Sequence, residues 1–202
     1  MQIFGISGGS GTGKSTLLKV LAQKGGKVID CDALYHQLLK TDKVLVAELT
    51  EQFPKAMENG CLNRKELGKL VFENKEALSM LNAITHKHVV KAVDVLLEQY
   101  RQENIPFAVI EAIALVESGL ATRCDKVICV LAKEEERIRR IMARENVDEN
   151  YAKSRIASQK PDEFFIMHSD YILENKYETE EQFTKYVESF FEKIWEESVT
   201  WN

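Results

Sequence analysis

Gly8-Gly9-Ser10-Gly11-Thr12-Gly13-Lys14-Ser15 is the stretch on which the reading of this 202-residue chain turns. It fits G-x-x-x-x-G-K-[ST], a phosphate-cradling P-loop. The chemistry explains each residue type. Gly8, Gly9, Gly11 and Gly13 let successive backbone N–H groups, that of Thr12 included, curl around a phosphate without a Cβ in the way. The helix expected from Ser15 and Thr16 onward points its positive end at the same anion. The Lys14 ammonium can reach β- and γ-phosphates, and the Ser15 hydroxyl can hold Mg²⁺. The flanks provide the setting that the motif requires. Gln2-Ile3-Phe4-Gly5-Ile6-Ser7 reads as a short buried strand, and Ser15-Thr16-Leu17-Leu18-Lys19-Val20-Leu21-Ala22 as a helix with an apolar face. Strand, loop and helix together read as a nucleoside triphosphate site.

Composition narrows the partners. The formal charge of −5 argues against a whole-surface grip on nucleic acid, so an anionic ligand must be held by a local basic patch. The best apolar run, residues 107–116, is short and broken by Glu111, which argues against a membrane span. Cys31, Cys61, Cys124 and Cys129 form no C-x-x-C and no zinc spacing. They fit reduced thiols of a cytoplasmic protein, and the loop begins too early to leave room for a signal peptide. The residues do not decide the oligomeric state.

Four more strands are expected: Lys27-Val28-Ile29-Asp30, Pro106-Phe107-Ala108-Val109-Ile110-Glu111, Lys126-Val127-Ile128-Cys129-Val130-Leu131 and a weaker Asp170-Tyr171-Ile172-Leu173. Short apolar strands alternating with helical patterns imply an α/β fold, a parallel sheet covered on both faces. Residues 33–105 hold no convincing strand and read as helices. One apolar face is Val44, Leu45, Ala47, Leu49 and Phe53, and another is Leu67, Leu70, Val71 and Phe72. This insertion suits a substrate-binding subdomain or plain helical cover for the sheet. Residues 133–160 concentrate Arg137, Arg139, Arg140, Arg144 and Arg155. Arg140 and Arg144 share one helical face, a spacing suited to a lid over phosphates. Residues 180–197 are amphipathic and read as a packing helix.

Asp32 follows the second strand. A carboxylate at the C-terminal edge of a strand beside the P-loop strand faces the ligand crevice of an open α/β sheet. There it can accept or orient the proton of an attacking hydroxyl. The same position suits a cap for the helix beginning near Ala33, and Asp30 suits that cap too, or a Mg²⁺-bound water. Glu111 could act as the acid that supports Mg²⁺ from the second coordination shell. On these residues alone, a kinase of a small acceptor such as a nucleoside or nucleotide and a nucleotide-dependent regulator both stay open. No Asn-Lys-x-Asp guanine-reading motif is present.

Beyond the loop, an ordered set of segments resembles the dephospho-coenzyme A kinase family. It comprises Val28-Ile29-Asp30-Cys31-Asp32, then Leu62-Asn63-Arg64-Lys65-Glu66-Leu67-Gly68 with Val71-Phe72, then Leu81-Asn82-Ala83-Ile84-Thr85-His86. Arg140-Ile141-Met142-Ala143-Arg144, Arg155-Ile156, Gln159 and Asp170-Tyr171-Ile172 with Asn175 complete it. The chain departs from the family at Ser10 (a bulky residue there), Asn63 (Asp), Lys87 (Pro), Ile113-Ala114-Leu115 (Pro-Leu-Leu) and Arg137 (Gln). The resemblance implies a single three-layer α/β/α P-loop kinase domain over residues 1–202. It would have a five-stranded parallel sheet, a helical acceptor-binding insertion at 33–105 and a helical lid at 133–160. It implies transfer from ATP, with Mg²⁺, to the ribose 3′-hydroxyl of dephospho-coenzyme A. By the same resemblance Asp32 is favoured as the base and Lys14 and Arg140 act in catalysis. Arg144 and Asn175 join the loop in holding ATP, Arg64 and His86 contact the acceptor, and Glu117 positions acceptor or metal.

Overall fold

The computed structural model describes residues 1–58, 61–72 and 74–199, apart from the side chains of residues 61, 64, 198 and 199. In chain order the elements are β1 (Gln2–Ser7), α1 (Lys14–Gln23), β2 (Lys27–Asp30), α2 (Cys31–Thr41), α3 (Lys43–Gln52), β3 (Met57–Glu58), β4 (Cys61–Leu62), α4 (Arg64–Phe72) and α5 (Lys75–Gln102). They continue with β5 (Phe107–Glu111), β6 (Lys126–Leu131), α6 (Glu134–Glu145), α7 (Glu149–Ala157), α8 (Asp162–Met167), β7 (Tyr171–Glu174) and α9 (Glu180–Val199). Two compact units result: Met1–Ile29 with Tyr100–Asn202, and Asp30–Gln99.

The first unit is built on the five-stranded sheet, ordered β2-β5-β1-β6-β7. β1 lies parallel to both β5 and β6, and β6 lies parallel to β7. β1, β5 and β6 are nearly continuous apolar runs because both faces of the sheet are covered. Phe4, Ile6, Phe107, Val109 and Ile128 pack with Leu17 and Leu21 of α1 and with Phe183, Val187, Phe191 and Ile194 of α9. The amphipathic C-terminal segment is therefore the cover of this core. The Asp125 carboxylate accepts the Ile3 N–H at 2.7 Å, and that of Asp170 accepts the Val127 N–H at 2.8 Å. These bonds satisfy backbone donors at the strand starts. α6 and α7 share a small core of their own, Ile138, Ile141 and Ala152, with Met142, Val147 and Ile156 against it.

The second unit gathers α2 to α5 around Leu45, Leu49, Phe53, Ala56, Leu67 and Ile84. Polar side chains set its helix starts. Asp42 takes the N–H groups of Val44 and Leu45 at the head of α3, Asn63 those of Lys65 and Glu66 at α4, and Asn74 those of Glu76 and Ala77 at α5. His88, buried on α5, bonds Asp42 through Nδ1 at 2.7 Å, and its Nε2 lies 3.5 Å from Glu48. Two expectations for this region need correcting. Residues 33–105 do contain strand: β3 and β4 form a two-residue antiparallel ladder, too short to show a period. Val44 and Phe72 are 61% and 88% exposed, not part of apolar faces, since each lies off the stripe that meets the small core.

Candidate active site

The loop between β1 and α1 closes on itself. Gly13, the residue before α1, sits at φ +109°, a left-handed conformation that side chains with a Cβ resist. From there its carbonyl takes the N–H of Thr16 at 3.1 Å. Buried Thr12 donates its hydroxyl to the Gly9 carbonyl at 3.0 Å. Lys14 folds back across the loop, with Nζ donating to the carbonyls of Gly8 at 2.9 Å and Gly9 at 3.1 Å. Glu111, at the end of β5, stands 3.6 Å from that ammonium. A cation is thus held over the loop on a flexible stem, where a polyphosphate could take over its partners. Ser15 is exposed in the first turn of α1, and Thr16 is buried beside it.

The later segment of the chain packs onto this loop. Arg140 of α6 donates from Nη1 to the carbonyls of Gly11 at 3.2 Å and Thr12 at 3.4 Å, and from Nη2 to that of Tyr177 at 3.4 Å. Burial pulls its pKa below the ordinary arginine value, yet the group stays charged. Asn175, just beyond β7 and 4% exposed, donates to the Thr12 carbonyl at 2.9 Å, while its own Oδ1 is buried without a hydrogen-bond donor. Arg137, also of α6, reaches Ser10, Gln159 and Asp162. Arg144, exposed at the end of α6, pairs with Glu145, which also takes Arg155. Those two arginines, Arg144 first, hold the Glu145 carboxyl below its usual range.

The remaining candidates stand on other elements or, for Glu117, between them. Asp32 is exposed in the first turn of α2. The cap of that helix is Asp30, whose carboxylate accepts the Ala33 N–H at 2.9 Å, so Asp32 does not serve as the cap. His86 is half-buried on α5. Arg64 opens α4, but its side chain lies outside the described residues. These three belong to the Asp30–Gln99 unit. Glu117 is exposed in the turns after β5. Lys87, at a family proline position, pairs with Glu48 at 2.7 Å. Sequence reasoning missed Asp162 and the Tyr177 carbonyl, because nothing local marks a residue whose role is a long-range partner.

Mg²⁺ takes hard oxygen ligands, usually one or two from protein with the rest from phosphates and water. The Ser15 hydroxyl and the Glu111 carboxylate are of that kind. Among the described residues, no group of three or more His, Cys, Asp or Glu forms an all-protein cage. No described helix is long and apolar enough to cross a membrane. Cys31, Cys124 and Cys129 are not joined in disulfides, and burial pushes Cys124 up to about 12 and Cys129 up to about 11.

Comparison with known proteins extends over nearly the whole chain. The sequence profile of the family CoaE, dephospho-CoA kinase, matches residues 2–181. A dephospho-CoA kinase of Fusobacterium nucleatum subsp. nucleatum is 36% identical over 196 residues, covering 96% of this chain and 99% of that protein. The crystal structure of TT1252 from Thermus thermophilus superposes with a TM-score of 0.79 at 32% identity, covering 97% of both chains. Dephospho-CoA kinase from Campylobacter jejuni superposes at 0.68 with 26% identity, covering 96% of this chain and 98% of that one. Since the match runs through the loop, the sheet and the helical segments alike, the chain belongs to the dephospho-CoA kinase family.

Proposed function

We propose that this chain transfers the γ-phosphoryl group of ATP to the ribose 3′-hydroxyl of dephospho-coenzyme A, the last step of coenzyme A synthesis. The products are coenzyme A and ADP. The observation that supports this most is the family match over residues 2–181 on a chain whose phosphate loop already carries its lysine. On this reading the enzyme works in the cytoplasm.

Roles for the residues follow from their chemistry. Lys14 would leave the Gly8 and Gly9 carbonyls for the β- and γ-oxygens of ATP. Mg²⁺, held by Ser15 and the nucleotide, supplies charge neutralisation when bound. The buried Oδ1 of Asn175 offers an acceptor to an N–H of the nucleotide. The 33–105 insertion would bind the acceptor through Arg64 and His86, with Glu117 orienting it. Asp32 would take the proton of the 3′-hydroxyl as its oxygen bonds to phosphorus and ADP departs. The 133–160 segment would close over the site, with Arg140 and Arg144 turned to the transferring group and water kept out.

The test is direct. The protein is incubated with ATP, Mg²⁺ and dephospho-coenzyme A, and the mixture is read by mass spectrometry. Coenzyme A and ADP should form together. ADP without coenzyme A, or phosphorylation of a nucleoside from a control panel instead, would overturn the assignment.

A further inference from the structure

Arg137 is the most deeply buried charged side chain of the arginine-rich segment, at 5% exposure, and the reaction as described makes no use of it. Its guanidinium is divided among three acceptors. Nε donates to the Ser10 carbonyl at 3.0 Å, Nη1 to Asp162 at 3.2 Å and Nη2 to the Gln159 side-chain oxygen at 3.2 Å. That Gln159 oxygen also accepts the Ser10 N–H at 2.9 Å, and the Gln159 amide donates to the Ser10 hydroxyl at 2.7 Å. Every polar group of Ser10 is therefore taken by two side chains from far along the chain. The contact is close enough that a Cβ on Gly9 would collide with the guanidinium.

We infer that Arg137, acting with Gln159, is a positioning residue that holds the tip of the phosphate loop at Ser10 in its nucleotide-binding shape before ATP arrives. The inference deepens the proposed function, since it takes this loop as the ATP site. Asp162 lies against the guanidinium, so the pair adds little net charge near the phosphates and acts on the loop's shape. A loop that samples other shapes binds through only a fraction of its population. Its apparent Kd rises by the inverse of that fraction, whereas kcat at saturation is untouched. Lysine cannot replace the arginine here, because one ammonium cannot span the three acceptors that the forked guanidinium reaches.

The test compares wild type with Arg137→Gln and Arg137→Lys. ATP binding is measured by calorimetry without acceptor, and the two KM values and kcat by steady-state assay. A hydrogen bond from a charged group is lost in each variant, so Kd and KM for ATP should rise about tenfold or more. Saturated kcat and the KM for dephospho-coenzyme A should stay within about twofold of wild type. Amide exchange at residues 8–13 should quicken in the free variants. A variant that melts earlier yet binds ATP within about twofold of wild type would overturn the inference, leaving Arg137 a packing residue only. Should Arg137→Gln fail to fold, Gln159→Leu leaves the Arg137–Asp162 pair and removes both Gln159 bonds to Ser10, and the same criteria apply. If wild type makes no coenzyme A, the family reaction fails, while the calorimetry still decides the role of Arg137.

Discussion

At the scale of single residues, Lys14 and Asp32 carry the sharpest expectations. The Lys14 ammonium bonds the Gly8 and Gly9 carbonyls and faces Glu111, and its residue is not part of the apolar core cluster. Lys14→Ala should abolish phosphoryl transfer with the circular dichroism spectrum and melting behaviour largely kept, and unchanged transfer would remove the loop from the reaction. Asp32 is exposed in the first turn of α2, and the cap of that helix is Asp30. Asp32→Asn should lower kcat by about 10²-fold or more with ATP affinity retained. A variant that instead loses ATP affinity at full turnover would make Asp32 a binding group. The loop was legible in the sequence because phosphate chemistry dictates both residue types and spacing. The hold on Ser10 was not, because Arg137 and Gln159 stand 127 and 149 residues further along the chain and nothing in local pattern pairs them with it.

At the scale of elements, the strands show what periodicity can and cannot report. The first, second and fourth fall on the expected residues, and the third and fifth each begin one residue later, at Phe107 and Tyr171. Buried parallel strands are continuous apolar runs, which stand out in a sequence. Two-residue strands such as β3 and β4 leave no such trace. The junction of α3 and α5 carries an acid-sensitive prediction. Asp42 is held below its ordinary value of 3.8, first by the Leu45 N–H, and Glu48 below 4.5, first by Lys87. A carboxylate depressed in the folded state stabilises fully above its unfolded pKa, and that contribution is lost as pH falls through the folded one. Melting temperature should therefore decline below about pH 4. Asp42→Asn keeps a capping acceptor but lacks the charge facing His88, so it should shallow that decline. An identical acid limb in the variant would place the sensitivity elsewhere.

At the scale of the whole molecule, the proposed division of labour can be read by amide exchange. Dephospho-coenzyme A should protect residues of the Asp30–Gln99 unit, and a non-hydrolysable ATP analogue should protect the loop and residues 133–160. Protection in the reverse pattern would mean that the acceptor and nucleotide segments have been exchanged. The cover of the core adds an optical consequence. Trp195 of α9 stacks among Phe4, Phe107 and Phe191, with ring centroids 5.1 to 6.4 Å away, and the other tryptophan, Trp201, falls in the same stretch of chain. The Asp30–Gln99 unit has no tryptophan at all. Indole emission during denaturation therefore comes from residues outside the Asp30–Gln99 unit, whereas far-ultraviolet ellipticity also counts α2 to α5. If the two curves part, the helical unit melts as a cooperative step of its own, and the gap between their midpoints measures how independently it does so.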